Sequence, residues 1–234
     1  LWIHGGGYRE GWGSEPEFDA QEWAAKGVVL VSINYRLGVF GFLTHPELSA
    51  ESPHGVSGNY GILDQIESLK WIQKNIEQFG GDPANVMIFG QSAGAGSVKT
   101  VCESPLSKGL FNKAVIMSGG GITNPNAVAA APARGGMGRG AMTLEEAEKA
   151  TKKIMDWAGY DSLEKMRRAS TEMMYTIGNF YSQVTGDRTA RMTGSPIVDG
   201  YVSLQSFDNA AYANALPNIP YMIGYTQDDM GDMA

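Results

Sequence analysis

Histidine is scarce in this sequence, with three in 234 residues, and all three (His4, His45 and His54) lie in its first quarter. No spacing brings two of them onto one helix face, so they do not read as a metal set. Cysteine is scarcer still. A single Cys102 excludes an internal disulfide and any cysteine-built zinc site, and beside apolar neighbours it reads as a small buried hydrophobe. No apolar run reaches the roughly 18 residues expected of a membrane-spanning helix. Positive charge is also thin: 18 Lys and Arg against 25 Asp and Glu leave a formal net charge of −7. No basic cluster of the kind that grips nucleic acid occurs; Arg167-Arg168 and Lys152-Lys153 read as solvated helix faces. The opening Leu1-Trp2-Ile3 carries neither an initiator Met nor a signal peptide, so it does not separate a secreted from a cytoplasmic protein.

What is present is ordinary for a globular chain, 43% hydrophobic and 18% charged, long enough to bury a sizeable core. Leu1-Trp2-Ile3 reads as the end of a buried strand running into a glycine turn. The β-branched stretch 27–36 (GVVLVSINYR) reads as a strand covered on both faces. In 59–79, apolar residues at 62, 63, 66, 69, 72, 76 and 79 step by three and four along one helix face, and Gly80-Gly81 ends it. Val86–Phe89, 113–119 and 219–225 read as further strands. Residues 124–142, rich in Ala, Gly, Pro and Arg, read as a flexible connection. Thr143 with Glu146 forms a capping-box signature for a helix to about Ala158, followed by shorter helical patterns over 161–178. Ten of the twelve methionines follow residue 130, and ordinary packing accounts for them better than a pocket lining. The alternation of strands and helices implies one α/β domain over 1–234 with a mainly parallel central sheet flanked by helices.

The chemistry concentrates in Gly90-Gln91-Ser92-Ala93-Gly94. Placed after a strand and before a helix, G-x-S-x-G folds into a tight corner that projects the serine hydroxyl above the sheet edge. Acyl transfer at such a serine needs donors aimed at the developing oxyanion. His4-Gly5-Gly6-Gly7 follows another strand, where backbone N–H groups of side-chain-free residues can approach a carbonyl. The N–H of Ala93 supplies a further donor.

These residues resemble the type-B carboxylesterases, the α/β-hydrolase family that includes the cholinesterases. FGGDPANVMIFGQSAG (79–94) matches the family's serine signature, and WIHGGG, VVLVSINYRLGVFGFL, GNYGILDQIESLKWIQKNI and SPLSKGLFNKAVIMSG are similar to family segments. The resemblance implies Ser92 as nucleophile and Gly6, Gly7 and Ala93 as oxyanion donors, with Gly5, Gln91 and Ser118 in supporting places. It puts the triad acid on the loop after YMIGY, at Asp229 ahead of Asp228 and Asp232, and gives Asp199 a structural turn. Gln91 stands where the family more often has Glu, which implies a weaker preference for cationic substrates. The expected activity is hydrolysis of small-molecule carboxylic esters, with no metal or organic cofactor. A catalytically silent adhesion domain is the alternative, and amides or carbohydrate-linked aromatic esters are alternative substrates.

One part is missing from this reading. A serine needs a base, in this fold a histidine following the acid, and all three histidines precede Ser92. His4 is expected to bond within the glycine loop, His45 to sit in a turn or start a helix, and His54 to lie exposed. The resemblance therefore implies a fragment lacking N-terminal strands and a C-terminal histidine segment. Such a chain would be inactive alone and prone to associate through its open sheet edges.

Overall fold

Parallel strands bring their carboxyl ends to one edge of a sheet, and here four of them do so in the order β1-β2-β3-β4. The structure, a computed structural model, describes residues 1–120, 122, 141–187 and 194–227. The strands are β1 (Trp2–Ile3), β2 (Met87–Gln91), β3 (Lys113–Met117) and β4 (Tyr221–Gly224). Between β1 and β2 run α1 (Gln21–Ala25), α2 (Gly38–Phe42), α3 (Pro46–Glu51) and α4 (Tyr60–Asn75). Helix α5 (Ala93–Glu103) joins β2 to β3. Helices α6 (Leu144–Trp157), α7 (Leu163–Arg168), α8 (Thr171–Thr185) and α9 (Phe207–Tyr212) precede β4.

The register aligns Gln91 with Met117 and Met117 with Gly224. The hydrogen bonds continue one step further, from Ser92 N–H to the Met117 carbonyl at 3.0 Å and from Ser118 N–H to the Gly224 carbonyl at 2.8 Å. Ser92, Ser118 and Tyr225 thus leave the sheet side by side, with the glycine loop after Ile3 next to them.

Two apolar cores hold this arrangement. The first joins Ile3, Ile88 and Ile116 of the sheet to Val98 and Val101 of α5 and to Ile62, Ile66 and Leu69 of α4. Ile88, Ile116, Val98 and Leu69 are fully buried, and burying each side chain stabilises by about 1.5–3 kcal/mol. The second core lies among the helices: Ile154 and Met155 of α6, Leu163 and Met166 of α7, and Met174, Ile177 and Tyr181 of α8. The buried methionines are packing residues here, as the sequence suggested. Helix α6 starts with the expected capping box, Glu146 N–H donating to Thr143 Oγ1 at 3.3 Å and Thr143 N–H to Glu146 Oε2 at 2.9 Å.

The segment 27–36 departs from its expectation. It makes a single parallel bridge, Trp2 with Ser32, and Val28 and Val29 remain 41% and 42% exposed. Strand β1 is two residues long, so little backbone is available to pair with, and among the described residues no strand lies on the outer side. In α4 the apolar face is buried at 62, 66, 69 and 72, but the chain tightens into a 3₁₀ turn at Ile76–Phe79 and leaves Phe79 61% exposed. The predicted helical patterns near 161–178 become α7 and a longer α8. Of the predicted flexible connection 124–142, only Ala141 and Met142 fall among the described residues.

Candidate active site

Ser92 is the first residue after β2 and the N-cap of α5, with φ 57° and ψ −121°. That positive φ is strained for a residue with a Cβ. The corner is closed by backbone packing on β1: a Cβ at Gly94 would lie 2.1 Å from the Ile3 carbonyl oxygen, and one at Gly90 would lie 2.8 Å from the same atom. Only glycine permits β1, β2 and α5 to meet so closely. The Ser92 carbonyl accepts the Gly96 N–H at 3.0 Å, which starts the helix. The hydroxyl makes no capping bond and stands at the positive end of the helix macrodipole.

The glycine loop lies against this corner. A Cβ at Gly5 would come within 3.3 Å of Ser92 Cβ, 2.9 Å of the Gln91 carbonyl and 3.4 Å of Gln91 Oε1. Gly6, Gly7 and Tyr8 all have positive φ, 92°, 61° and 61°. The loop's carbonyl groups are mostly engaged. His4 O accepts Tyr35 Oη–H at 2.9 Å, Gly5 O pairs with His4 Nδ1 at 2.9 Å, and Gly6 O accepts Arg9 N–H at 3.0 Å and Glu10 N–H at 3.1 Å. Tyr8 O accepts Gly38 N–H at 2.7 Å. By contrast, the N–H groups of Gly6, Gly7 and Ala93 donate to no acceptor among the described residues. A loop with bound carbonyls and open N–H groups beside a projecting hydroxyl can host a developing negative charge on oxygen.

Beneath the loop lies a polar layer that sequence reasoning did not find. His4 stacks on Tyr35 with ring centroids 4.5 Å apart, and Gln65 Nε2 donates to Ser97 Oγ at 2.9 Å. The Tyr8 ring packs edge-on to Phe42 at 5.2 Å. Burial raises the Tyr8 and Tyr35 hydroxyls well above their ordinary ionisation range, so both stay neutral. Tyr175 of α8 also reaches the loop, its hydroxyl donating to the Arg9 carbonyl. With the partners 166 positions apart, no local pattern signals that bond.

The other predicted residues divide. Gln91 is exposed at the corner. Ser118 begins the loop after β3 with φ 52°, and that loop is held on α5 by Lys99 Nζ donating to the Gly120 carbonyl at 3.1 Å. Asp229 lies outside the described residues, as do Asp228 and Asp232. Asp199 is structural: its Oδ1 accepts the N–H groups of Tyr201, Val202 and Ser203 at 2.9, 2.8 and 3.0 Å, and its Oδ2 accepts Asn59 Nδ2–H at 2.9 Å.

The three histidines are each engaged away from Ser92. His4 bonds within its own loop, and His45 caps α3 by accepting Glu47 N–H at Nδ1, 3.3 Å. His54 is exposed and stacked on Tyr201 at 3.9 Å. Among the described residues no cluster of His, Cys, Asp or Glu could hold a metal ion, and no helix is long and apolar enough to cross a membrane.

Comparison with known proteins places this geometry. The family model described as carboxylesterase family matches residues 1–234. The chain belongs to the carboxylesterase family. It is 39% identical over 230 residues to the fumonisin B1 esterase of Sphingopyxis macrogoltabida, covering 98% of this chain and 38% of that one. It is 34% identical over 232 residues to the para-nitrobenzyl esterase of Bacillus subtilis, covering 98% and 43%. A solved Geobacillus stearothermophilus carboxylesterase superposes with a TM-score of 0.77 at 34% identity, over 99% of this chain and 46% of that one. The fold of this carboxylesterase-family chain is accordingly that of the α/β-hydrolases, and the chain spans about two fifths of the length of the curated relatives it matches.

Proposed function

We propose that this protein hydrolyses small-molecule carboxylic esters through an acyl-enzyme on Ser92. The observation that carries the reading is the strained Ser92 corner facing a glycine loop whose N–H groups at Gly6 and Gly7, with that of Ala93, are left without acceptors. In the first half-reaction Ser92 Oγ attacks the ester carbonyl carbon while a base takes its proton. The carbonyl oxygen becomes an oxyanion, accepted by the three N–H groups, each donor of this kind being worth about 2.7–4 kcal/mol. Collapse breaks the bond to the alcohol, which leaves with the proton; water then attacks the acyl group by the reverse route and releases the acid.

Asp229, five residues beyond the end of β4, is the proposed acid that orients the base. None of His4, His45 and His54 hydrogen-bonds Ser92, the bonds of His4 and His45 being local ones at Nδ1, so we assign the base to a histidine supplied by sequence other than these 234 residues. Relatives that carry the name esterase along nearly the whole of this chain favour this reading over a silent adhesion domain.

The test is hydrolysis of para-nitrophenyl esters by the full-length protein, together with intact mass after treatment with a fluorophosphonate. The proposal expects a single covalent adduct on the wild type, no adduct on Ser92→Ala, and a loss of kcat in that variant of about 10⁴-fold or more. A Ser92→Ala protein that still turned over ester at near wild-type rate would overturn it.

A further inference from the structure

We propose that Tyr175, on α8, is a positioning residue for the glycine loop, holding the Gly6 and Gly7 N–H groups in the direction an oxyanion requires. This rests on the ester-hydrolase reading above. The loop is a run of three consecutive residues in the left-handed region, Gly6, Gly7 and Tyr8. Tyr8 carries a side chain there, and such a run persists only where its surroundings hold it. From inside, it is held by Arg9 and Glu10 N–H bonding back to the Gly6 carbonyl. From outside, two bonds fix its far end: Gly38 N–H to the Tyr8 carbonyl, and Tyr175 Oη–H to the Arg9 carbonyl.

Both outer anchors converge on Tyr175. Its ring lies against Gly38 so closely that a Cβ there would be 3.0 Å from the ring edge. One side chain thus bonds one anchor directly and backs the residue that supplies the other. Neither bond touches substrate, so the effect is transmitted through the loop.

The neighbours of Tyr175 give this a consequence. Met174, Ile177 and Tyr181 point into the helical core with α6 and α7, whereas Tyr175 is 46% exposed and turned toward the loop. Ser92 is seated on the other core, that of the sheet and α5. The loop rests on that same core through Tyr8, which packs on Phe42, and Tyr175 ties its far end to the helical core as well. Misplacement of a reacting group by about 1 Å can cost on the order of 10²-fold in rate, so a loop loosened at one of two outer anchors should lose a smaller part of that.

The experiment compares the full-length wild type with Tyr175→Phe, which keeps the ring against Gly38 and removes only the donor. Concentrations are normalised by active-site titration with the fluorophosphonate, so that loss of folded enzyme does not enter kcat. The expected result is a kcat about 10-fold lower with KM within about twofold and an unchanged urea midpoint. A second variant, Tyr175→Leu, removes both the donor and the ring behind Gly38 and is expected to fall at least as far; wild-type kcat in it would likewise overturn the proposal. A Tyr175→Phe enzyme with wild-type kcat would overturn the proposal while leaving the hydrolase reading intact. A wild type that hydrolyses no ester would overturn both.

Discussion

Replacing Ser92 by glycine should make the protein more stable than replacing it by alanine. The two variants both lack the hydroxyl, which caps nothing, and differ only in the Cβ that φ 57° and ψ −121° force into a strained place. Relief of a residue held in a sparsely populated region is worth about 1–3 kcal/mol. Against it stands the entropy that glycine loses on folding, about 0.5–1 kcal/mol. The difference predicts Ser92→Gly above Ser92→Ala by about 1 kcal/mol, roughly 2–4 °C in Tm for a domain of this size. Thermal unfolding of the two variants side by side reads this out. If Ser92→Gly melts at or below Ser92→Ala, the corner stores no strain at the serine, and the idea that the fold is stressed to present this hydroxyl fails.

A second expectation concerns Glu103 at the end of α5. Its Oε2 accepts Leu204 N–H at 3.3 Å, its Oε1 is buried without a partner among the described residues, and burial pushes its carboxyl up from 4.5 to about 7. A carboxyl raised in the folded state costs nothing at low pH and destabilises progressively as pH rises from about 4.5 to about 7. Discounted for partial exposure, Glu103→Gln should therefore gain about 1–2 kcal/mol on the wild type between pH 4 and pH 8; urea melts giving a pH-independent difference would refute it. A third expectation is that Gly94→Ala, whose Cβ would meet the Ile3 carbonyl at 2.1 Å, costs about 1–3 kcal/mol or prevents folding. A urea midpoint equal to wild type would show that α5 does not need its close approach to β1.

The parts of the site that could be seen in the sequence are those where steric demand leaves a mark on composition. Gly90 and Gly94 are there because two backbones approach Ile3 O, and Gly5 because the loop approaches Ser92; each demand excludes every other residue type and so shows as a motif. The strands at 87–91, 113–117 and 221–224 showed as apolar runs for a similar reason. Residues 27–36 carried the right side chains for a strand, but pairing depends on how much backbone the neighbour offers, and β1 offers two residues. Helices of five or six residues such as α2 and α3 are too short to display a period. The His4–Tyr35 and Gln65–Ser97 pairs and the Tyr175–Arg9 bond join residues at least 31 positions apart, and no local pattern encodes a meeting at that separation.

The polar layer under the loop explains why the loop can be built from glycine at all. Three glycines in a row would ordinarily leave a flexible turn, since each has the most backbone freedom to lose. Here the carbonyl of His4 is fixed by a neutral buried tyrosine, that of Gly5 by the His4 ring, and that of Gly6 by the turn at Arg9 and Glu10. Each fixed carbonyl orients the peptide that follows it, because the plane carrying the C=O also carries the next N–H. Holding the Gly5 and Gly6 carbonyls therefore sets the direction of the Gly6 and Gly7 N–H groups, with no side chain intruding on the space in front of them. The loop's rigidity comes from acceptors bound behind it, while its donors are left open ahead of it.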